Sequence, residues 1–95
     1  MAKIIWSKKA KNNLRDIVRF IALDKPVTAE LHARRIFDAT RRLKEFPKSG
    51  RIVPEENDPN LRELIFGSYR IIYEIINEEV TILTVHHSSR ILHLD

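Results

Sequence analysis

Apolar positions recur at helical intervals in the first half of this chain and alternate at strand intervals in the second. From Ser7 onward Ala10, Leu14, Ile17, Val18 and Ile21 draw one stripe along a helix, with Lys8, Lys11, Arg15 and Arg19 on the opposite side. Ser7 suits the N-cap of that helix, and the preceding Lys3-Ile4-Ile5-Trp6 is a short β-prone run, so the chain is predicted to open with a strand. Asp24-Lys25-Pro26 interrupts the helix. Proline is tolerated in the first turn of the next one, where its missing N–H would be unpaired in any case. The second helix is predicted to run to about Glu45 and to bury Ala29, Ala33, Ile36, Phe37, Thr40 and Leu43. Its small alanines let the two helices approach closely at their linked end, which gives an antiparallel hairpin.

Phe46-Pro47-Lys48-Ser49-Gly50 ends the second helix, and Pro54 and Pro59 keep the stretch up to Asn60 irregular. The period then changes. Leu61 to Phe66, Tyr69 to Ile76 and Val80 to His87 read as strands, joined by turns at Gly67-Ser68 and Asn77-Glu78-Glu79. In the middle strand Tyr69, Ile71, Tyr73 and Ile75 share the face expected to meet the helices. Arg70, Ile72, Glu74 and Ile76 share the other, expected to be a half-open concave surface. The fold class is therefore α+β: an N-terminal strand, an antiparallel two-helix hairpin and a three-stranded antiparallel meander packed on the helices. With 95 residues there is material for one core, so residues 1–95 are expected to form one domain.

Charge changes this picture by its distribution. Residues 1–52 hold 14 Lys or Arg against 5 acids, and residues 53–95 hold 3 against 8. The basic side invites an anionic partner, nucleic acid or an acidic protein segment, although a solvated helix face has the same composition. The absence of cysteine excludes disulfides, thiolate metal sites and cysteine nucleophiles. With neither a secretory signal nor an apolar run long enough for a membrane helix, no membrane association is expected and a cytoplasmic location is. Glycine-rich phosphate loops and G-x-S-x-G elbows are missing too. His32, His86, His87 and His93 lack ligand spacing, so neither a metal nor another cofactor is expected.

The remaining candidates for chemistry are Arg70 on the middle strand and the His86/His87 pair on the next. The turn at Asn77 to Glu79 pairs residues whose numbers add to about 155 or 156, which sets Arg70 opposite Val85 or His86. An arginine clamping a phosphate and a histidine moving a proton suit RNA cleavage through the 2′-hydroxyl. In the alternative reading Arg70 pairs with Glu74 or another neighbouring carboxylate. Arg90, on the C-terminal tail, either adds a phosphate contact or anchors the tail.

Several stretches together carry a resemblance: Ile5-Trp6-Ser7 with Ala10 and Leu14; Leu43 with Phe46-Pro47 and Gly50-Arg51; Arg62-Glu63-Leu64; Tyr69-Arg70-Ile71-Ile72-Tyr73; and Val85-His86 with Arg90. In this order they resemble the RelE/ParE toxin superfamily of type II toxin-antitoxin pairs over almost the entire chain, most closely on its ParE side. The resemblance implies a toxin neutralised by a cognate antitoxin, in complexes that often hold two toxins, as in a toxin-antitoxin heterotetramer. It implies either poisoning of DNA gyrase, the ParE activity, or RelE-like cleavage of mRNA in the ribosome. Within the RelE-like set Arg70 matches the arginine of a Y-R-x-x-Y-like strand, Arg62 lies near a basic strand position and Arg90 near the basic C-terminal ones. Arg51, at the exit of the hairpin, joins Arg62 and Arg90 as a candidate nucleic-acid or target contact. Leu64 stands where a further basic residue is expected. Leu92 to Asp95 occupy the region of the catalytic tyrosine, which leaves His86 or His87 to substitute for it.

Overall fold

A computed structural model of the chain describes residues 1–89 and Leu92. Strand β1 (Lys3–Trp6) leads into helix α1 (Lys8–Ala22) and then α2 (Pro26–Arg41), which tightens into a 3-10 turn at Arg42–Lys44. Strands β2 (Arg51–Ile52), β3 (Leu61–Phe66), β4 (Tyr69–Ile76) and β5 (Glu79–His87) follow. The expected meander is β3-β4-β5, and a strand joins it on each side to give the order β1-β5-β4-β3-β2. β1 runs parallel to β5 and every other neighbour is antiparallel. Parallel pairing of β1 follows from the helical hairpin, which carries the chain across the sheet before it returns through the meander.

Ser7 performs two tasks where β1 becomes α1. Its hydroxyl accepts the Ala10 N–H at 3.0 Å, capping the helix, and donates to the Leu83 carbonyl of β5 at 2.9 Å. Six residues later the Asn13 side chain does for β5 what a neighbouring strand would do. Its Oδ1 accepts the Val85 N–H at 3.2 Å and the Thr84 hydroxyl at 2.7 Å, so the edge that β1 leaves uncovered is closed by α1.

The helix-facing core joins Ala10 and Leu14 of α1, Ile36 of α2 and Leu43 to Ile71, Tyr73 and Ile75 of β4 and Val80, Ile82 and Val85 of β5. Val85 is out of phase with Val80 and Ile82 because the β4/β5 register shifts between Ile72 and Tyr73, leaving Leu83 opposite no β4 residue. Pair sums are 156 above this bulge and 155 below it, so both expected registers occur, each in its own half. Phe37 differs from expectation: it is 47% exposed and lies against Trp6, ring centroids 5.1 Å apart, at the rim of the core.

The other sheet face is closed at its centre, where a half-open concavity was expected. Val53, Leu61 and Ile72 are buried together there, with Leu83 and Leu92 packed alongside. The segment expected to be irregular makes this possible. β2 pairs with β3, the Val53 N–H donates to the Leu61 carbonyl, and the Val53 carbonyl accepts from Glu56 and Asn57. Asn57 takes the left-handed backbone conformation, φ 51°, in this tight return. No helix among the described residues is long and apolar enough to cross a membrane.

Tyr73 joins the hairpin's exit to the sheet. Fully buried, it donates its hydroxyl to the Pro47 carbonyl at 2.7 Å and accepts the Gly50 N–H at 2.9 Å. Burial raises its phenol pKa above the ordinary 10.0, the Gly50 hydrogen bond and Arg62 opposing, so it remains protonated at neutral pH. Gly50 is required by this approach. A β-carbon there would lie 2.5 Å from the Glu63 carbonyl oxygen and 2.6 Å from the Tyr73 hydroxyl. Tyr73→Phe is expected to cost about 1–3 kcal/mol, from the polar groups left unpaired. Gly50→Ala should cost about 1–3 kcal/mol, by forcing strand and tyrosine apart. Urea denaturation measures both, and wild-type midpoints would contradict this account of the junction.

Candidate functional site

The strand register sets Arg70 directly opposite His86, and Glu63 on β3 shares their face of the sheet. Arg70 donates from Nε to Glu63 Oε1 at 2.6 Å, and from its two terminal nitrogens to Glu55 Oε2 and Oε1 at 2.7 and 2.8 Å. The second Glu63 oxygen accepts from Arg51 Nε. Cations and anions thus alternate as Arg51, Glu63, Arg70 and Glu55, a neutral row across the sheet's back. Its interior members are the ones withdrawn from water: the Glu63 side chain is 0% exposed and that of Arg70 10%, against 47% for Glu55 and 60% for Arg51.

This arrangement decides what Arg70 can do. All three of its nitrogens already donate to carboxylates, in the fork geometry a phosphate would otherwise use. Hydrogen bonding to Arg70 lowers the Glu55 pKa from 4.5 to about 2, against a smaller opposing effect of desolvation. The same pairing, with Glu55 contributing most, pushes Arg70 above its ordinary value and holds it charged. Glu74, the carboxylate singled out from sequence, is not among its partners. Glu63 was legible, because strand alternation about the Gly67-Ser68 turn puts it on the Arg70 face. Glu55 was not, since it reaches Arg70 from a loop with no periodicity.

The other sequence candidates scatter around this row. Arg62 donates from Nε to the Pro59 carbonyl at 2.9 Å, and from Nη1 to the Lys48 and Gly50 carbonyls at 3.1 and 3.0 Å, fastening the two ends of the long connection together. His86 is half-buried on the Arg70 side. His87 lies on the helix side, its ring edge-on to Tyr69 at 5.3 Å and its Nδ1 accepting the Ser89 N–H at 3.2 Å. The two histidines therefore serve different faces. Arg90 lies outside the described residues. Among the described residues no three His, Asp or Glu side chains are grouped to hold a metal ion.

Comparison with known proteins bears on both fold and family. Residues 4–92 match the family model described as the ParE toxin of the type II toxin-antitoxin system parDE. Toxin RelE2 of Caulobacter vibrioides is 30% identical over 92 residues, which cover 96% of this chain and 100% of that protein. In structure the chain is similar to one from the chromosomal ParDE system of P. aeruginosa, with a TM-score of 0.78, 20% identity and coverage of 92% and 96% of the two chains. It is also similar to a chain of the RelBE2 toxin-antitoxin complex of Mycobacterium tuberculosis, with a TM-score of 0.63, 21% identity and coverage of 90% and 96%.

Removing the arginine from the row strands a buried carboxylate, whereas removing the exposed glutamate does not. Arg70→Met is expected to cost about 3–5 kcal/mol in urea denaturation, and Glu55→Gln about 1 kcal/mol or less. Equal effects would contradict this division. Because the Glu55 pKa is lowered on folding, its contribution is present above the ordinary 4.5 and fades as pH falls toward 2. The stability difference between wild type and Glu55→Gln should shrink across that window.

Proposed function

Because this chain belongs to the ParE toxin family of type II toxin-antitoxin systems, we propose that it arrests growth by poisoning DNA gyrase and is held inactive by a cognate antitoxin. The observation that carries this choice of target is the saturation of Arg70 by Glu63 and Glu55. A nuclease working on phosphate needs a cation free to stabilise developing charge, and this one is already neutralised. Arg62, spent on backbone carbonyls, and Leu64, in place of a basic residue, point the same way.

A poison that acts by holding another protein needs contact surface instead. Phe20, Leu23 and Val27, at and beside the hairpin tip, are 74%, 86% and 80% exposed, a cost in water that a protein partner would relieve. The basic α1 and α2 give an acidic antitoxin segment an electrostatic reason to bind. Two toxins bridged by two antitoxins, a heterotetramer, is the assembly we expect.

RNA cleavage on the ribosome is the second reading, favoured by the register that sets His86 beside Arg70 and by the similarity to Toxin RelE2. The same purified protein tests both. Added to gyrase and plasmid DNA, it should accumulate cleaved complexes or block supercoiling, and His86→Ala and His87→Ala should keep that effect. In a translating extract, primer extension should find no new mRNA ends. If instead mRNA is cut, and His86→Ala slows cutting by a factor on the order of 100 or more, the nuclease reading replaces the first.

A further inference from the structure

Helix α1 carries Lys8, Lys9, Lys11, Arg15 and Arg19, and its one acid is Asp16. On so basic a helix a lone carboxylate would be expected to join an ion pair, yet among the described residues Asp16 enters none. It lines a cavity of about 480 Å³ with Asn13, Ile17 and Phe20 of its own helix and Tyr69, Val85 and His87 of the sheet. This cavity opens on the helix side, away from the Arg70 row. We propose that it seats a cationic side chain, an arginine presented by a partner protein.

The walls are built and fixed. Asn13 ties α1 to β5 through Thr84 and Val85, setting the distance between the two sides. Tyr69 is wedged between two imidazoles, with His87 edge-on at 5.3 Å and His32 at 5.6 Å, so its ring is held in one place. Burial, with Arg35 adding to it, lowers the His32 pKa and keeps that ring uncharged behind the tyrosine at neutral pH. His87, its Nδ1 engaged by the Ser89 N–H, lines the cavity from the sheet side as a ring wall. Phe20 stands at the rim, 74% exposed, without an intramolecular partner for most of its surface.

These groups together select by charge and by shape. A phosphate or carboxylate would meet the Asp16 carboxylate and be repelled. An arginine gains on each count: its three-carbon stem lies along Ile17 and Val85, its guanidinium plane stacks on the Tyr69 or Phe20 ring, and its N–H fork meets the Asp16 oxygens. A lysine satisfies the charge but not the fork or the stacking. The inference does not depend on which target the toxin attacks, since it names the side chain a partner inserts and not the partner's activity.

The test uses the full chain and small probes: N-acetyl-arginine methylamide, with the lysine and glutamate analogues as separate arms. Binding is read from the aromatic and imidazole NMR signals of Tyr69 and His87. The arginine probe should give saturable shifts at both with millimolar affinity, the lysine probe weaker ones, and the glutamate probe none. Asp16 and Phe20 are exposed, so Asp16→Asn and Phe20→Ala should fold as wild type, which unchanged shifts in the β3-β4 core would verify. Each should weaken the arginine probe by roughly fivefold or more. Shifts that rise linearly without saturation, a glutamate probe that binds as well, or an unchanged affinity in Asp16→Asn would each overturn the proposal.

Discussion

A single buried carboxylate, that of Glu63, sets the conditions for the back of this sheet. An isolated charge withdrawn from water is too costly to keep, so it must be met by partners of opposite sign in good geometry. Arg70 meets one oxygen and Arg51 the other. Because Arg51 lies on β2, Glu63 on β3 and Arg70 on β4, satisfying one carboxylate fixes three neighbouring strands relative to each other. Arg70 takes a second counter-charge from Glu55, on the connection between β2 and β3. The closure of Val53 over Leu61 and Ile72 follows, since the loop that carries Glu55 is the one that carries Val53. The arginine that looks most like chemistry in the sequence is thus the one the fold can least spare.

A second junction does for helices and sheet what the ion-pair row does for strands. Tyr73 reaches through the core to Pro47 and Gly50, and Arg62 gathers the carbonyls of Lys48, Gly50 and Pro59. Both act on the stretch after α2, where no regular hydrogen-bond ladder exists to satisfy the backbone. The hairpin's exit is thereby clamped to the central strand, while its far end at Ala22 to Pro26 projects with its apolar side chains in water. The hairpin is thus fixed at one end and presents exposed apolar surface at the other.

What was legible in the sequence divides along the same lines. The stripe Ala10, Leu14, Ile17 and the alternation Tyr69, Ile71, Tyr73, Ile75 are local signals, and both placed their residues on the face that meets the core. Strand register was readable from turn length up to the bulge at Leu83, which no local pattern announces. Parallel pairing of β1 to β5, the two-residue β2 and the reach of Glu55 to Arg70 are contacts between distant segments, so periodicity carries no trace of them. Phe37 fits the stripe of α2 yet lies at the rim beside Trp6, because the core below that turn is already filled by Ile36 and Leu43. Among the candidate site residues, turn length placed Arg70 opposite Val85 or His86 and the bulge selects His86, whereas the engagement of Arg70 by Glu55 depended on the loop's path.

Charge that is compensated inside the fold is invisible to a partner, and this sorts the surfaces. On the sheet's back the two arginines and two glutamates of the row cancel, so little net field remains there despite four ionised groups. The hairpin is different: Arg34 pairs with Glu30 and Arg41 with Asp38, but Lys8, Lys11, Arg19 and Arg35 enter no ion pair among the described residues. A partner approaching this protein therefore meets a positive field from the helices, broken at Asp16. Long-range attraction to such a surface favours an acidic segment, while a carboxylate beside aromatic rings fixes where along the helix a particular residue can settle. Attraction and register are then supplied by different residues of one helix, and the sheet behind it serves to hold them in place.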